Sequence, residues 1–127
     1  LYPFLKDQPK FLFEYGQCLS KTGQYEEGIR ILTEGTRLSA DPMFYNIMGK
    51  DAEALKHFGQ AEACFKQASY MVPHRLYPLY LLAKMYFESG QPEKGRDMAR
   101  QVIQKAPKVM SDAVKEMKAE LEERLKP

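Results

Sequence analysis

Three sets of residues recur along this chain at steps of 33 and then 34 positions. Gly16, Gly49 and Ala83 form one set, Tyr25, Phe58 and Pro92 a second, and Ala40, Pro73 and Pro107 a third. A shared register limits the fold to a tandem array, because a unit of this length is one supersecondary element that buries its apolar face only against the next copy. The middle copy, Tyr45 to Pro73, shows the unit best. Gly49 and Ala61 are small residues inside two helical patterns, placed where two antiparallel helices touch. Phe58, Phe65 and Ala68 continue the apolar face of the second helix, and Pro73 stops it.

The flanking copies follow the same plan. In the first, about 9–41, Pro9 opens a helix where its missing N–H is harmless. Leu12, Tyr15, Gly16 and Leu19 then fall at i, i+3, i+4 and i+7, one face of an amphipathic helix. Gly23 suits the left-handed position after a helix end, and Tyr25, Gly28, Ile29, Leu32, Gly35 and Leu38 mark the second helix. The second copy, about 42–75, has the turn Leu55-Lys56-His57; without a glycine it implies a less conventional joint. The third, about 76–108, carries Leu79, Leu82, Ala83 and Tyr86, then a turn at Ser89-Gly90-Gln91, then Gly95, Ala99 and Val102, closed by Pro107. Beyond it, Ser111 caps a last helix whose narrow stripe is Val114, Met117, Leu121 and Leu125, with the other face charged. A solenoid needs such a wet-faced end cap. Leu1–Asp7 is expected to cover the opposite end. Helices are predicted near 9–22, 25–39, 42–55, 58–71, 75–89, 92–105 and 111–125, with no sheet.

This spacing resembles the tetratricopeptide repeat (TPR), whose signature is W-x2-LG-x2-Y, then A-x3-F-x2-A, then P. The resemblance implies an all-α, TPR-like α-solenoid of three helix-turn-helix repeats plus a C-terminal capping helix, one domain over 1–127. Ala99 stands where an aromatic is usual and Val102 where a small residue is usual, so packing in the third repeat should depart from the family. In TPR proteins the first helices line a concave groove. By register, the resemblance places Lys10, Phe13, Gln17 and Lys21 on it, then Met43, Asn46, Lys50 and Glu53, then Tyr77, Tyr80, Lys84 and Phe87. Aromatic rings with ammonium groups between them suit an extended peptide. On this reading Tyr77, Tyr80, Lys50 and Lys84 are partly exposed and do not hold the helices together. The same stripe fits a second reading, in which Phe13, Tyr77 and Tyr80 pack between first helices or against another segment of the parent protein. The two-carboxylate clamp of chaperone-binding TPR domains is missing: its positions hold Phe13, Gln17, Ile47, Tyr77 and Leu81. That argues against recognition of chaperone C-termini.

Composition excludes more than it selects. A hydrophobic fraction of 44% and a charged fraction of 28% are globular values. The net charge of +2 gives no bulk electrostatic argument for nucleic acid or an anionic membrane, and the most apolar run, Leu76 to Phe87, is too short to span a bilayer, so neither nucleic-acid binding nor direct membrane insertion is expected. No phosphate loop, HExxH, nucleophile elbow or clustered metal ligands occur, so the sequence points to no catalytic residue, metal or cofactor, and to a non-catalytic binding or scaffold module. Cys18 and Cys64 read as small buried hydrophobes, and His57 and His74 as solvated imidazoles at turns.

Three phrases, LFEYGQCLSKTGQYEEG, DPMFYNIMGK and RLYPLYLLAKMY, resemble the C-terminal TPR tail of bacterial O-antigen ligase-type membrane proteins. That resemblance implies the soluble accessory domain of a glycan ligase or polymerase, tethered to a bacterial inner membrane by a preceding part that carries the chemistry. The start at Leu1, inside an apolar phrase, fits a piece of a longer protein.

Overall fold

The computed structural model describes residues 8–105 and 111–126. Among them lie seven α-helices and no strand: α1 (Pro9–Lys21), α2 (Tyr25–Thr36), α3 (Met43–Ala54), α4 (Phe58–Met71), α5 (Tyr77–Glu88), α6 (Pro92–Gln104) and α7 (Asp112–Leu125). The second ends earlier than its apolar pattern suggests. Arg37 and Leu38 donate to the carbonyls of Glu34 and Gly35, three residues back, which tightens and closes the helix. The expectations placed on Leu1–Asp7 and on Pro107 lie outside the described residues.

The helices pair as α1 with α2, α3 with α4 and α5 with α6, and each pair packs on the next. The first helices also touch one another, α1 with α3 and α3 with α5, while α7 continues the row against α5 and α6. This is an all-α helical-repeat solenoid.

Register at the core explains the recurring small residues. A Cβ on Gly16 would stand 2.5 Å from Leu32 Cγ, and one on Gly49 would stand 2.7 Å from Phe65 Cδ1. Leu32, Phe65 and Ala99 are themselves 33 and 34 residues apart. The third pair exchanges volume: Ala83 has the Cβ that Gly49 lacks, and Ala99 gives up the ring. Val102 and Leu121, both fully buried, share that cluster with Ala83 and Ala99. The unusual residues at 99 and 102 therefore form a core completed by α7.

The three intra-repeat turns are alike, contrary to the expectation for the second. Gly23, Lys56 and Gly90 all have positive φ, at 82°, 62° and 77°. In each turn the next residue's N–H reaches five residues back, Gln24 to Leu19, His57 to Ala52 and Gln91 to Tyr86, at 2.8, 2.8 and 2.9 Å. This is the Schellman closure, which absorbs orphan carbonyls at a helix end. Lys56 adopts the left-handed conformation in place of glycine.

At the C-terminal end, the Ser111 hydroxyl accepts from the Val114 N–H at 3.2 Å, as the sequence predicts for a cap. Lys118 Nζ donates to the carbonyls of Ile103 and Lys105 at 3.0 and 2.9 Å, so α7 also satisfies the end of α6. The cysteines divide. Cys64 is buried, and burial followed by the charge of Asp51 pushes its thiol up to about 11. Cys18 is exposed on the wet side of α1, which corrects its reading as a buried hydrophobe.

Candidate functional site

Because α1, α3 and α5 lie side by side, residues spaced three and four apart on each form one continuous face. Two recesses open on it. One, of about 330 Å³, is lined by Gln17, Ser20, Lys21, Tyr25, Ile47, Lys50, Asp51 and Ala54. The other, of about 420 Å³, is lined by Lys50, Glu53, Ala54, Lys56, Leu81, Lys84 and Glu88. Lys50 is exposed on the wall common to both.

The face brings together part of the predicted stripe. Lys50 Nζ on α3 donates to Tyr77 Oη on α5 at 3.4 Å. Tyr77 and Tyr80 stack with ring centroids 6.1 Å apart. Lys84 Nζ donates to Tyr80 Oη at 3.1 Å and sits 4.9 Å above the same ring. Tyr80 in turn donates to Glu120 of α7 at 2.8 Å, and Lys84 pairs with that carboxylate at 3.2 Å. Tyr80 and Lys84 thus tie α7 to α5, a structural duty that the second, packing reading allowed for Tyr80 and that neither reading gave Lys84.

The electrostatics of this triad are consistent with one another. Burial disfavours the Lys84 ammonium, but hydrogen bonds to Tyr80 and Glu120 outweigh it and its pKa is raised. Burial opposes ionisation of Glu120 too, yet the hydrogen bonds from Tyr80 and Lys84 leave its carboxyl below the ordinary value. Tyr80 is raised, first by burial and then, against the pull of Lys84, by Glu120.

Other stripe residues turn elsewhere. Asn46 is 2% exposed, with its amide donating to Met43 Sδ at 3.4 Å and its Oδ1 without a partner among the described residues. It is buried where α3 is flanked by first helices on both sides, which corrects its placement as an accessible groove contact. Phe13 meets Phe44 edge-on at 5.2 Å, so it packs α1 on α3. Phe87 lies against Gly95 of α6, with Arg124 of α7 5.3 Å above its ring. For Phe13 the packing reading describes what the structure shows, and Phe87, which that reading did not name, packs as well. Lys10 and Lys21 are exposed, and Gln17 is half-buried. Two of the clamp positions, Ile47 and Leu81, are buried in the core.

The recesses also contain acids: Glu53, already on the stripe, and Asp51 and Glu88, which the stripe did not include. Asp51 is 2% exposed and takes the Ser20 hydroxyl at 2.7 Å; burial, against that hydrogen bond and Lys50, pushes its carboxyl up to about 6. Glu53 is pushed up to about 7, by burial and then by the neighbouring Glu88, against Lys84 and Lys50. A sequence signal existed for Glu53 and Glu88, which stand one repeat plus one residue apart on successive first helices. Asp51 offered none, since its polar partner Ser20 lies on another repeat. Among the described residues no cluster of three or more His, Cys, Asp or Glu could hold a metal, and no helix is long and apolar enough to cross a membrane.

Two tetratricopeptide-repeat models match the chain, over residues 9–42 and 79–108. With the helix pairs and their register, they define the class: the chain belongs to the tetratricopeptide-repeat family. Solved structures agree in fold. The CopN-Scc3 complex matches at 14% identity with a TM-score of 0.81, covering 93% of this chain and 69% of that one. The first TPR of Spaghetti (RPAP3) bound to an HSP90 peptide matches at 18% identity and 0.73, covering 93% and 95%. PcrH in complex with the chaperone-binding region of PopB matches at 15% and 0.73, covering 94% and 95%. No curated protein matches the chain. The comparisons support the repeat family and offer no support for the ligase-tail resemblance.

Proposed function

We propose that this chain is a non-catalytic protein-interaction module, one domain of three repeats closed by α7, that holds a partner peptide or segment along the face of α1, α3 and α5. The observation that carries this reading is the pair of adjacent recesses sharing Lys50. Their linings meet at Lys50 and Ala54, where the first helices lie side by side. Gln17, Lys21, Lys50 and Tyr77 are its accessible contacts, with Lys10 at its N-terminal end. Phe13, Asn46 and Phe87 support them from within. Relatives of the same fold bind peptides or protein segments by their own descriptions, which agrees with this use of the scaffold.

Site-specific photo-crosslinking tests the face. A photoreactive residue at Gln17 or Lys21 should capture a partner in cells, and the same residue at Gln60 or Gln101, exposed on α4 and α6, should not. Capture from α4 and α6 alone would refute the reading.

A further inference from the structure

Within the proposed groove the molecule holds two ammonium–phenol pairs, and only one of them is closed by a carboxylate. At Lys84 and Tyr80 the acid is Glu120, reached at 3.2 and 2.8 Å. At Lys50 and Tyr77 the same two groups meet at 3.4 Å across α3 and α5. Lys50 is exposed there and forms no ion pair among the described residues. A carboxylate is the complement of such a pair, because it accepts from the ammonium and from the phenol hydroxyl together, and charge-assisted bonds of this type are the stronger ones. We infer that Lys50 and Tyr77 form a subsite for an acidic side chain of the partner segment, one that seats a glutamate as Tyr80 and Lys84 seat Glu120. This deepens the groove reading and rests on it.

Two nearby acids could satisfy Lys50 instead, and neither does so. Asp51 is directed to Ser20 at 2.7 Å, and Glu53 lies beside Glu88, whose neighbouring carboxyl helps raise its own. Their proximity leaves Lys50 with an attraction to both but with no bonded partner except the phenol. Tyr77 is half-buried and stacked on Tyr80, so its hydroxyl is held in place before any ligand arrives. That pre-organisation lowers the ordering cost of binding.

The probe is a hexaglutamate peptide, acetylated and amidated at its ends, titrated into the full chain and followed by backbone amide NMR. A hexaglutamine peptide with the same ends is the neutral control, and one with a free C-terminus tests a terminal carboxylate. Shifts should cluster at Lys50 and Tyr77 with hexaglutamate and be absent with capped hexaglutamine. Lys50→Gln should weaken binding by about two- to fivefold, the worth of a partly exposed charge pair. Tyr77→Phe should weaken it less, and Lys115→Gln, which removes the same charge from α7, should change nothing. Equal shifts with capped hexaglutamine, or equal losses in Lys50→Gln and Lys115→Gln, would overturn the subsite. Stronger binding of the free C-terminus than of hexaglutamate would overturn the side-chain assignment. If the carboxylate subsite fails while Gln17 still crosslinks a partner, the groove reading stands without it.

Discussion

The second and third repeats share a register and solve the same packing problem in opposite ways. In repeat two, bare backbone at Gly49 receives the ring of Phe65, and the contact is complete between α3 and α4. In repeat three, Ala83 and Ala99 share a cluster with Val102 and with Leu121 from α7, which take up the volume a ring would fill. The interior repeat makes its closest contact from its own two helices and shares its core with Leu32 on one side and Leu82 and Met85 on the other. The last repeat depends on the helix beyond it. A solenoid's ends and middle are therefore not equivalent even where their spacing is identical, because only the middle has neighbours on both sides.

The largest test removes the neighbour. Deleting residues 111–127 strips Leu121 from the third core, together with partly buried Val114, Met117 and Leu125. Burying one large aliphatic side chain is worth about 1.5–3 kcal/mol, so the loss should be about 3 kcal/mol or more. The newly bare surface around Ala99 and Ile103 should also promote self-association. Thermal melts with sedimentation measure both, and an equally stable monomer would show that repeat three closes on its own.

Next in size is the contact of repeat two. Gly49→Leu forces a side chain into the Phe65 ring and should cost about 3 kcal/mol, at the upper end of overpacking penalties. A sharper version transplants the third repeat's solution. Gly49→Ala and Phe65→Ala should each destabilise, and the double variant should lose less than their sum, because each change makes room for or fills the other. Additive losses in denaturant melts would mean that Gly49 and Phe65 do not share one space.

Charge distinguishes the two repeats as well. Asp51 and Glu53 both belong to repeat two, and their carboxyls are raised to about 6 and about 7 from ordinary values of 3.8 and 4.5. A raised acid binds its proton more tightly in the folded chain, so its contribution is fully present below the unfolded pKa and is lost as pH rises through the folded one. Stability should therefore fall between about pH 5 and pH 8. Glu62, Glu120 and Glu27 are shifted downward, and their losses belong below the ordinary carboxylate range, outside this window. Glu53→Gln should flatten the upper part of the slope. A melting temperature that rises from pH 5 to pH 8 would contradict both shifts.

The sequence made the solenoid legible because Gly16, Gly49 and Ala83 report a backbone approach that side chains cannot disguise. The site was less legible, for a physical reason. Register identifies which residues lie on the first helices, but burial of a given position depends on how closely the adjacent first helices approach. Asn46 and Lys50 are one turn apart on α3, yet one is buried and the other exposed. The tie of Tyr80 and Lys84 to Glu120 was not legible because that partner sits 36 residues or more away among alternating charges of α7.

The smallest prediction concerns the turns, where the two repeats place different residues at the left-handed position. Lys56 holds φ at 62° and Gly90 at 77°, with the same backbone closure behind each. A left-handed conformation costs an L-residue roughly 1–2 kcal/mol, and glycine avoids this while losing some chain entropy on folding. Lys56→Gly should then stabilise the domain by about 0.5–1 kcal/mol, a rise of about 2–5 °C in melting temperature for a chain of this size. The substitution also removes a charge from the recess that holds Glu53 and Glu88. Lys56→Asn separates the two effects, since asparagine tolerates the left-handed region and carries no charge. If strain governs, Asn should fall between Lys and Gly, and Gly90→Ala should cost about 1 kcal/mol in repeat three. If Asn and Gly both leave the melt unchanged or lower it, the Lys56 charge matters more than its backbone, and the turn of repeat two is held by the acids beside it.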